Sequence, residues 1–201
     1  MKSFFMDKSL VFLCKYNTYS DEDIEKLSYG LEGIYLTITK LIIIFALALL
    51  LNIFKEIIFL LIIFNIIRYF GFGIHAKKSS ECLVSSIIFF IGLPYICLNE
   101  FVTNEILIII SIIGIISFIP FAPADTKKRP FYNKKKKFIR KILTIAVGII
   151  YLIGAITIKN STISKLFLIA IIIQAIVINP ITYMIMNEPY NNSKKKDKKM
   201  S

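Results

Sequence analysis

The chain has 201 residues, 56% of them hydrophobic, and a formal net charge of +12, with a mean hydropathy of +0.71. That apolar share exceeds the roughly 45–50% of a soluble globular domain, and the length suits one helical bundle with no second globular domain. The positive charge falls between apolar segments and in the tail rather than on one soluble face, which argues against nucleic acid as a partner and for loops sorted by a membrane.

In chain order, residues 1–33 mix Phe4, Phe5, Leu10, Val11, Phe12 and Leu13 with lysines and acids. This reads as an amphipathic N-terminal region, either one or two helices lying on the membrane surface or a loosely ordered arm. It is not a secretory signal peptide, because the apolar stretch Leu10–Cys14 is too short and an acidic run, Asp21–Glu25, follows it. Insertion is therefore expected to use the internal spans.

Residues 34–186 read as an all-α, polytopic membrane bundle. Its six apolar segments are Thr37–Leu51, Ile53–Ile67, Cys82–Leu98, Ile106–Phe121, Ile142–Ile158 and Ile163–Met186. A helix is the expected form of each, since it alone satisfies its own backbone in lipid. The first two are short, each reaching about 22 Å against a hydrocarbon core of about 30 Å. They either span with local thinning or form a tight hairpin that stops short. Pro94 and Pro180 should kink their helices, while Gln174 and Asn179 read as interhelical hydrogen-bond partners.

Charge sets the orientation. Three basic residues follow the second segment, nine lie between Lys127 and Lys141, and five lie in the tail from Lys194 to Lys199. These regions hold 17 of the 25 basic residues, whereas the opposite connections hold Lys55, Lys159 and Lys165. The bias predicts a multi-pass cell-membrane protein with both termini, the His75–Cys82 segment and the basic loop 122–141 in the cytoplasm. The basic tail, residues 187–201, is expected to be disordered and held electrostatically at lipid.

Candidate chemistry centres on His75, the single histidine, and Cys82 at the start of a span. A cysteine nucleophile needs a base within hydrogen-bond reach and a third group to orient that base. Seven residues of straight helix would hold the two side chains about 10.5 Å apart along the axis, far beyond a hydrogen bond of about 3 Å. The chain between Gly71 and Glu81 must therefore break, and Gly71 and Gly73 suit a turn. The bland alternative is a histidine that anchors a helix end at the interface. Asp125 is a candidate orienter of His75. Cys14 and Cys97 read as small apolar packing residues. Neither a disulfide framework nor a metal or cofactor site is expected from three unpaired cysteines and one histidine.

These residues carry a resemblance. The string from Arg68 to Gly73 and His75, with Cys82 opening an apolar span, resembles the signature of the accessory gene regulator B (AgrB) family. The stretch from Ala122 and Pro123 through Asp125 to Arg129 and Pro130 is similar to that family's second recognisable motif, and Tyr29–Glu32 also fits. The resemblance implies a membrane cysteine endopeptidase. Such an enzyme would cut the acidic C-terminal part from a short quorum-sensing propeptide and promote closure of a thiolactone or lactone ring. It further implies Cys82 as nucleophile and His75 as base, with Arg68 and Gly73 as motif residues needed for activity.

In that light the basic residues Lys127, Lys128, Arg129, Lys134, Lys135, Lys136 and Lys137 serve topology and membrane lipid, and also offer a dock for the acidic part of the precursor. Near anionic lipid each is worth about 1 kcal/mol. The alternative reading is a small peptide transporter or exporter without proteolysis. The near absence of charge at mid-span counts against it. A non-catalytic scaffold is the third reading, and a homodimer is compatible with a bundle this small.

Overall fold

A computed structural model describes residues 20–74, 79–99, 101–125 and 133–190, together with Lys8 and Phe12. The described residues are helical apart from turns and one isolated bridge. Residues 1–47 and 48–201 form two compact units.

The first unit is built on helix α1, Asp21–Leu50. Ser20 starts it, accepting the Asp23 N–H at 3.3 Å while its hydroxyl donates to Asp23 Oδ2 at 2.7 Å, a side-chain cap on an orphan donor of the first turn. The helix crosses the boundary expected near residue 33 without a break. Thr37 and Thr39 donate to the carbonyls of Gly33 and Tyr35, so their polar groups are absorbed by their own helix. The first span is accordingly longer than the apolar run alone suggests, and Gly30–Leu50 is long and apolar enough to cross a membrane.

The second unit continues with α2, Phe54–Gly71. Next comes α3, Ser79–Ile87, then a π-helical turn, Ile88–Gly92, and α4, Leu93–Leu98. Helices α5, Asn104–Phe121, α6, Lys134–Thr157, α7, Ser161–Ile178, and α8, Pro180–Ile185, complete it. Each of the six expected apolar segments is helical over most of its length, the last in two pieces, α7 and α8. Besides the α1 stretch, Ser80–Leu98 and helices α5, α6 and α7 are long and apolar enough to cross a membrane. Helix α2 has 18 residues but carries Lys55, Glu56 and Arg68 near its ends.

Helix α7 is the core. Of its apolar window 67% is buried, against 22–28% for Ser80–Leu98, α5 and α6, and it packs on α2, α5 and α6. Small residues permit these close approaches: Gly114 of α5 faces Ala175 and Ile171, and Gly148 of α6 faces Phe118. Hydrogen bonds from side chain to backbone tie neighbouring helices together. Ser111 Oγ donates to Leu168 O, Ser164 Oγ to Ala155 O at 2.6 Å, and Tyr151 OH to Ile63 O at 2.8 Å. Packing of this kind stabilises helices where no hydrophobic effect acts between them. Isoleucines 109, 113 and 116 of α5 and 149, 153 and 156 of α6 are exposed, as a lipid-facing surface requires.

The two prolines interrupt their helices in different ways. At Pro94 the helix widens, with the Leu93 N–H reaching Ile88 O across the π turn. At Pro180 the helix stops. Asn179 is extended, as a residue before proline prefers, and its Oδ1 accepts the Ile181 N–H at 2.9 Å. Asn179 is thus the N-cap of α8 rather than an interhelical partner.

Candidate active site

One end of the bundle gathers the C-termini of α2, α5 and α7, the N-termini of α3 and α6, and α8. Its centre is the turn after α2. Phe72 closes that helix, its N–H bonded to Arg68 O at 2.8 Å, with φ 54° and ψ −140°. A side chain is costly there, by about 1–3 kcal/mol. Gly73 follows at φ 133°, a conformation open to glycine. The Ile74 N–H then bonds Val177 O of α7 at 3.0 Å. The chain thus leaves the helix at residues 72–74, inside the Gly71–Glu81 stretch where a single straight helix is not expected, and the next described helix opens at Ser79.

Every neighbour grips this turn. Gln174, fully buried in α7, donates Nε2–H to Phe72 O at 3.0 Å, so its partner is a turn carbonyl rather than a neighbouring helix. Arg140 of α6 donates from Nη1 to Tyr69 O at 2.7 Å and stacks over the Phe72 ring, 4.5 Å from its centroid. The stretch after α5 joins through a parallel bridge between Phe72 and Ala124, whose N–H reaches Gly71 O at 3.0 Å. Gly71 leaves no space for a side chain, because an added Cβ would collide with Gln174 Nε2 and press on Thr144.

Arg68 joins the turn to the candidate nucleophile. Its Nη2 donates to Ile74 O at 2.9 Å, its guanidinium lies over the Phe64 ring, and it is within electrostatic reach of Tyr183 and Cys82. Cys82 is half-buried in the opening turns of α3, with its sulfur free. Asp125 is buried beside the bridge, and its carbonyl accepts the Tyr183 hydroxyl at 3.1 Å. Burial first, then the Asp125 carboxylate, push the Tyr183 phenol up, so at neutral pH it stays a donor. Tyr190, packed edge-on against Tyr183, is shifted upward by the same two causes.

Of the residues expected at a site, Arg68, Gly73, Cys82 and Asp125 come together here. His75, Lys127, Lys128 and Arg129 lie outside the described residues. Lys134, Lys135 and Lys136 are exposed and Lys137 half-buried in the first turn of α6. Asn133 Oδ1 caps that turn, accepting the Lys135 and Lys136 N–H groups. A helix start already carries about half a positive charge, and four lysines without an acid add to it. The sequence reading missed Tyr183, hidden in an apolar run, and the part of Arg140, counted there only as one charge in a basic loop.

A family model described as accessory gene regulator B matches residues 6–178. Among curated relatives, an accessory gene regulator protein B of Staphylococcus aureus strain Newman is 32% identical over 182 residues, covering 89% of this chain and 94% of its own. The protein of the same name from the bovine RF122 strain is 28% identical, with the same coverage. A putative AgrB-like protein of Listeria innocua is 29% identical over 87% of this chain and 86% of its own. No solved structure matches the chain.

Proposed function

The chain belongs to the accessory gene regulator B family, and we propose that it is a membrane cysteine endopeptidase that removes the acidic C-terminal part of a short quorum-sensing propeptide and promotes ring closure of the remainder. The observation that carries this reading is Arg68, which bonds Ile74 O, the carbonyl immediately before His75, and is within electrostatic reach of Cys82. One cation thus links the two motif ends across the broken helix.

In this reading His75 takes the Cys82 proton, and the thiolate attacks the scissile carbonyl. Arg68 offers positive charge where negative charge develops. His75 then returns the proton to the leaving amine, and the N-terminal part of the peptide remains as a thioester on Cys82. A thiol within the propeptide displaces Cys82 to give a thiolactone; a hydroxyl would give a lactone. Thioester exchange exchanges like bonds and needs no energy source or cofactor. Asp125, next to the bridge partner of Phe72, is the carboxylate assigned to orient His75. The lysine-rich start of α6, with Lys127, Lys128 and Arg129 ahead of it, docks the acidic part of the precursor on the cytoplasmic face.

The test is co-expression with a precursor carrying an amphipathic leader, an internal cysteine and an acidic end, followed by its size. Cys82→Ala and His75→Ala should each slow processing by roughly 10³-fold or more, whereas Cys14→Ala and Cys97→Ala should not. Unchanged processing in either of the first two variants sinks the peptidase assignment. Changing Lys134–Lys137 to glutamine should weaken precursor binding with topology intact; equal binding would leave the loop to lipid and orientation alone.

A further inference from the structure

We propose that Gln174 is a positioning residue for this chemistry: from the interior of α7 it holds the Phe72–Ile74 turn in a backbone conformation that the turn's own residues disfavour. The inference rests on the peptidase reading, since it matters only if the chain leading into His75 must be fixed relative to Cys82.

Three observations carry it. First, Phe72 sits at φ 54° and ψ −140°, where glycine would be at ease and phenylalanine is not. A turn of this shape needs external restraint. Second, Gln174 is fully buried among apolar neighbours on the most buried helix. An amide there is expensive, and isoleucine or leucine would pack as well without the cost of desolvation. Third, the amide is only half satisfied. Nε2 donates to Phe72 O at 3.0 Å, while Oε1 is buried without a hydrogen-bond partner among the described residues. A group retained for packing or general stability would not leave an acceptor bare. A group retained for one specific bond, to the carbonyl of the strained residue, can.

The consequence runs along the chain. Phe72 O is held by Gln174, the Ile74 N–H by Val177 O, and Ile74 O by Arg68. Gln174 and Val177 lie one turn apart on the same helix, so α7 presents both fixed points at once. Arg68, which holds Ile74 O, is also within electrostatic reach of Cys82. Gln174 touches neither reacting atom; it acts through the place of His75.

The experiment uses the full chain in lipid vesicles with Cys14→Ala and Cys97→Ala, so that iodoacetamide reports Cys82 alone. Gln174→Met keeps the volume and removes the donor. It should slow Cys82 alkylation at neutral pH roughly tenfold, the scale of one lost hydrogen bond. His75→Ala should slow it at least as much, and adding Gln174→Met to His75→Ala should change nothing more. Independent, multiplying effects of the two changes, or normal alkylation in Gln174→Met, would overturn the inference while leaving the peptidase reading in place. Normal alkylation in His75→Ala would remove that reading itself. If Gln174→Met does not assemble, Phe72→Gly is added, because glycine takes φ 54° without a clamp. The double variant should then assemble and restore alkylation; a double variant that still fails would equally overturn the proposal.

Discussion

The two ends of the bundle differ in what their side-chain donors hold. At the end that carries Cys82, side chains of four different helices donate to backbone carbonyls of irregular chain or helix ends: Arg68 to Ile74, Arg140 to Tyr69, Gln174 to Phe72 and Tyr183 to Asp125. At the other end polar groups finish helices. Asn160 Oδ1 caps α7 by accepting the Ile163 N–H, and Ser164 Oγ closes on Ala155 O of the preceding helix. Donors at the first end therefore hold a non-helical shape that the backbone would not keep alone. Those at the second only complete shapes that helices already favour. Restraint of an unfavourable backbone is what a site built on positioned groups requires, and it is concentrated where the motif residues lie.

The sharpest way to break this contrast is Gly73→Ala. A methyl at φ 133° is strained, and its Cβ would stand 3.1 Å from Val177 O and 3.0 Å from a Val177 methyl. The turn must then move off α7, at a cost on the order of 3 kcal/mol. Processing should fall by at least about a hundredfold, with a lowered melting temperature measured on the purified protein. A variant of normal activity and melting temperature would mean that the turn has a second acceptable path. A small-residue change at the opposite end, Gly154→Ala, meets only the Phe167 ring near 3.9 Å and should be tolerated.

Much of this was legible in the sequence, and the remainder was not for identifiable reasons. Apolar runs and charge bias marked all six segments, because lipid imposes the same demand on each. The need for a break before Cys82 followed from helix rise alone. The full length of α1 was not legible, because the charged residues before Thr37 look like an interface in composition, yet the helix runs unbroken from Asp21 to Leu50. Pro94 and Pro180 gave the same signal and opposite outcomes. At Pro180 the preceding asparagine supplies a cap; at Pro94 no cap is offered, and the helix absorbs the proline by a π turn. Phe72 could not be singled out, since a phenylalanine at positive φ contradicts local preference and is explained only by partners more than 50 residues away.

A middle-sized effect is expected at Tyr183. Removing its hydroxyl in Tyr183→Phe leaves Asp125 O without that donor, a loss of about 1 kcal/mol. The pH dependence carries the signature. The phenol is shifted upward in the folded protein, by burial first and by Asp125 next, so the folded state keeps a proton that the unfolded chain gives up near pH 10. Stability from this group is fully present below that pH and is lost as pH climbs further. Thermal melts from pH 8 to 11 should show an alkaline decline that is smaller in Tyr183→Phe. Parallel curves would mean that Tyr183 is not the group responsible.

The smallest effect belongs to Lys165, and its smallness is the point. Lys165 is 5% exposed, early in α7 and near Cys97, on the side away from Arg68. A buried cation looks functional by residue type alone. Its position argues otherwise: a long side chain close to a helix end can extend its ammonium toward the interface while its methylenes pack in the interior. Lys165→Met keeps that packing and removes the charge, and such replacements are often neutral or mildly stabilising. The expected change in stability is within about 1 kcal/mol, and processing and Cys82 alkylation should be unchanged. Arg68→Met, an equally simple loss of one cation near the opposite end, should stop both. If Lys165→Met impaired processing as Arg68→Met does, the two ends would not differ in kind, and the site would have to extend through the bundle rather than end at the clamped turn.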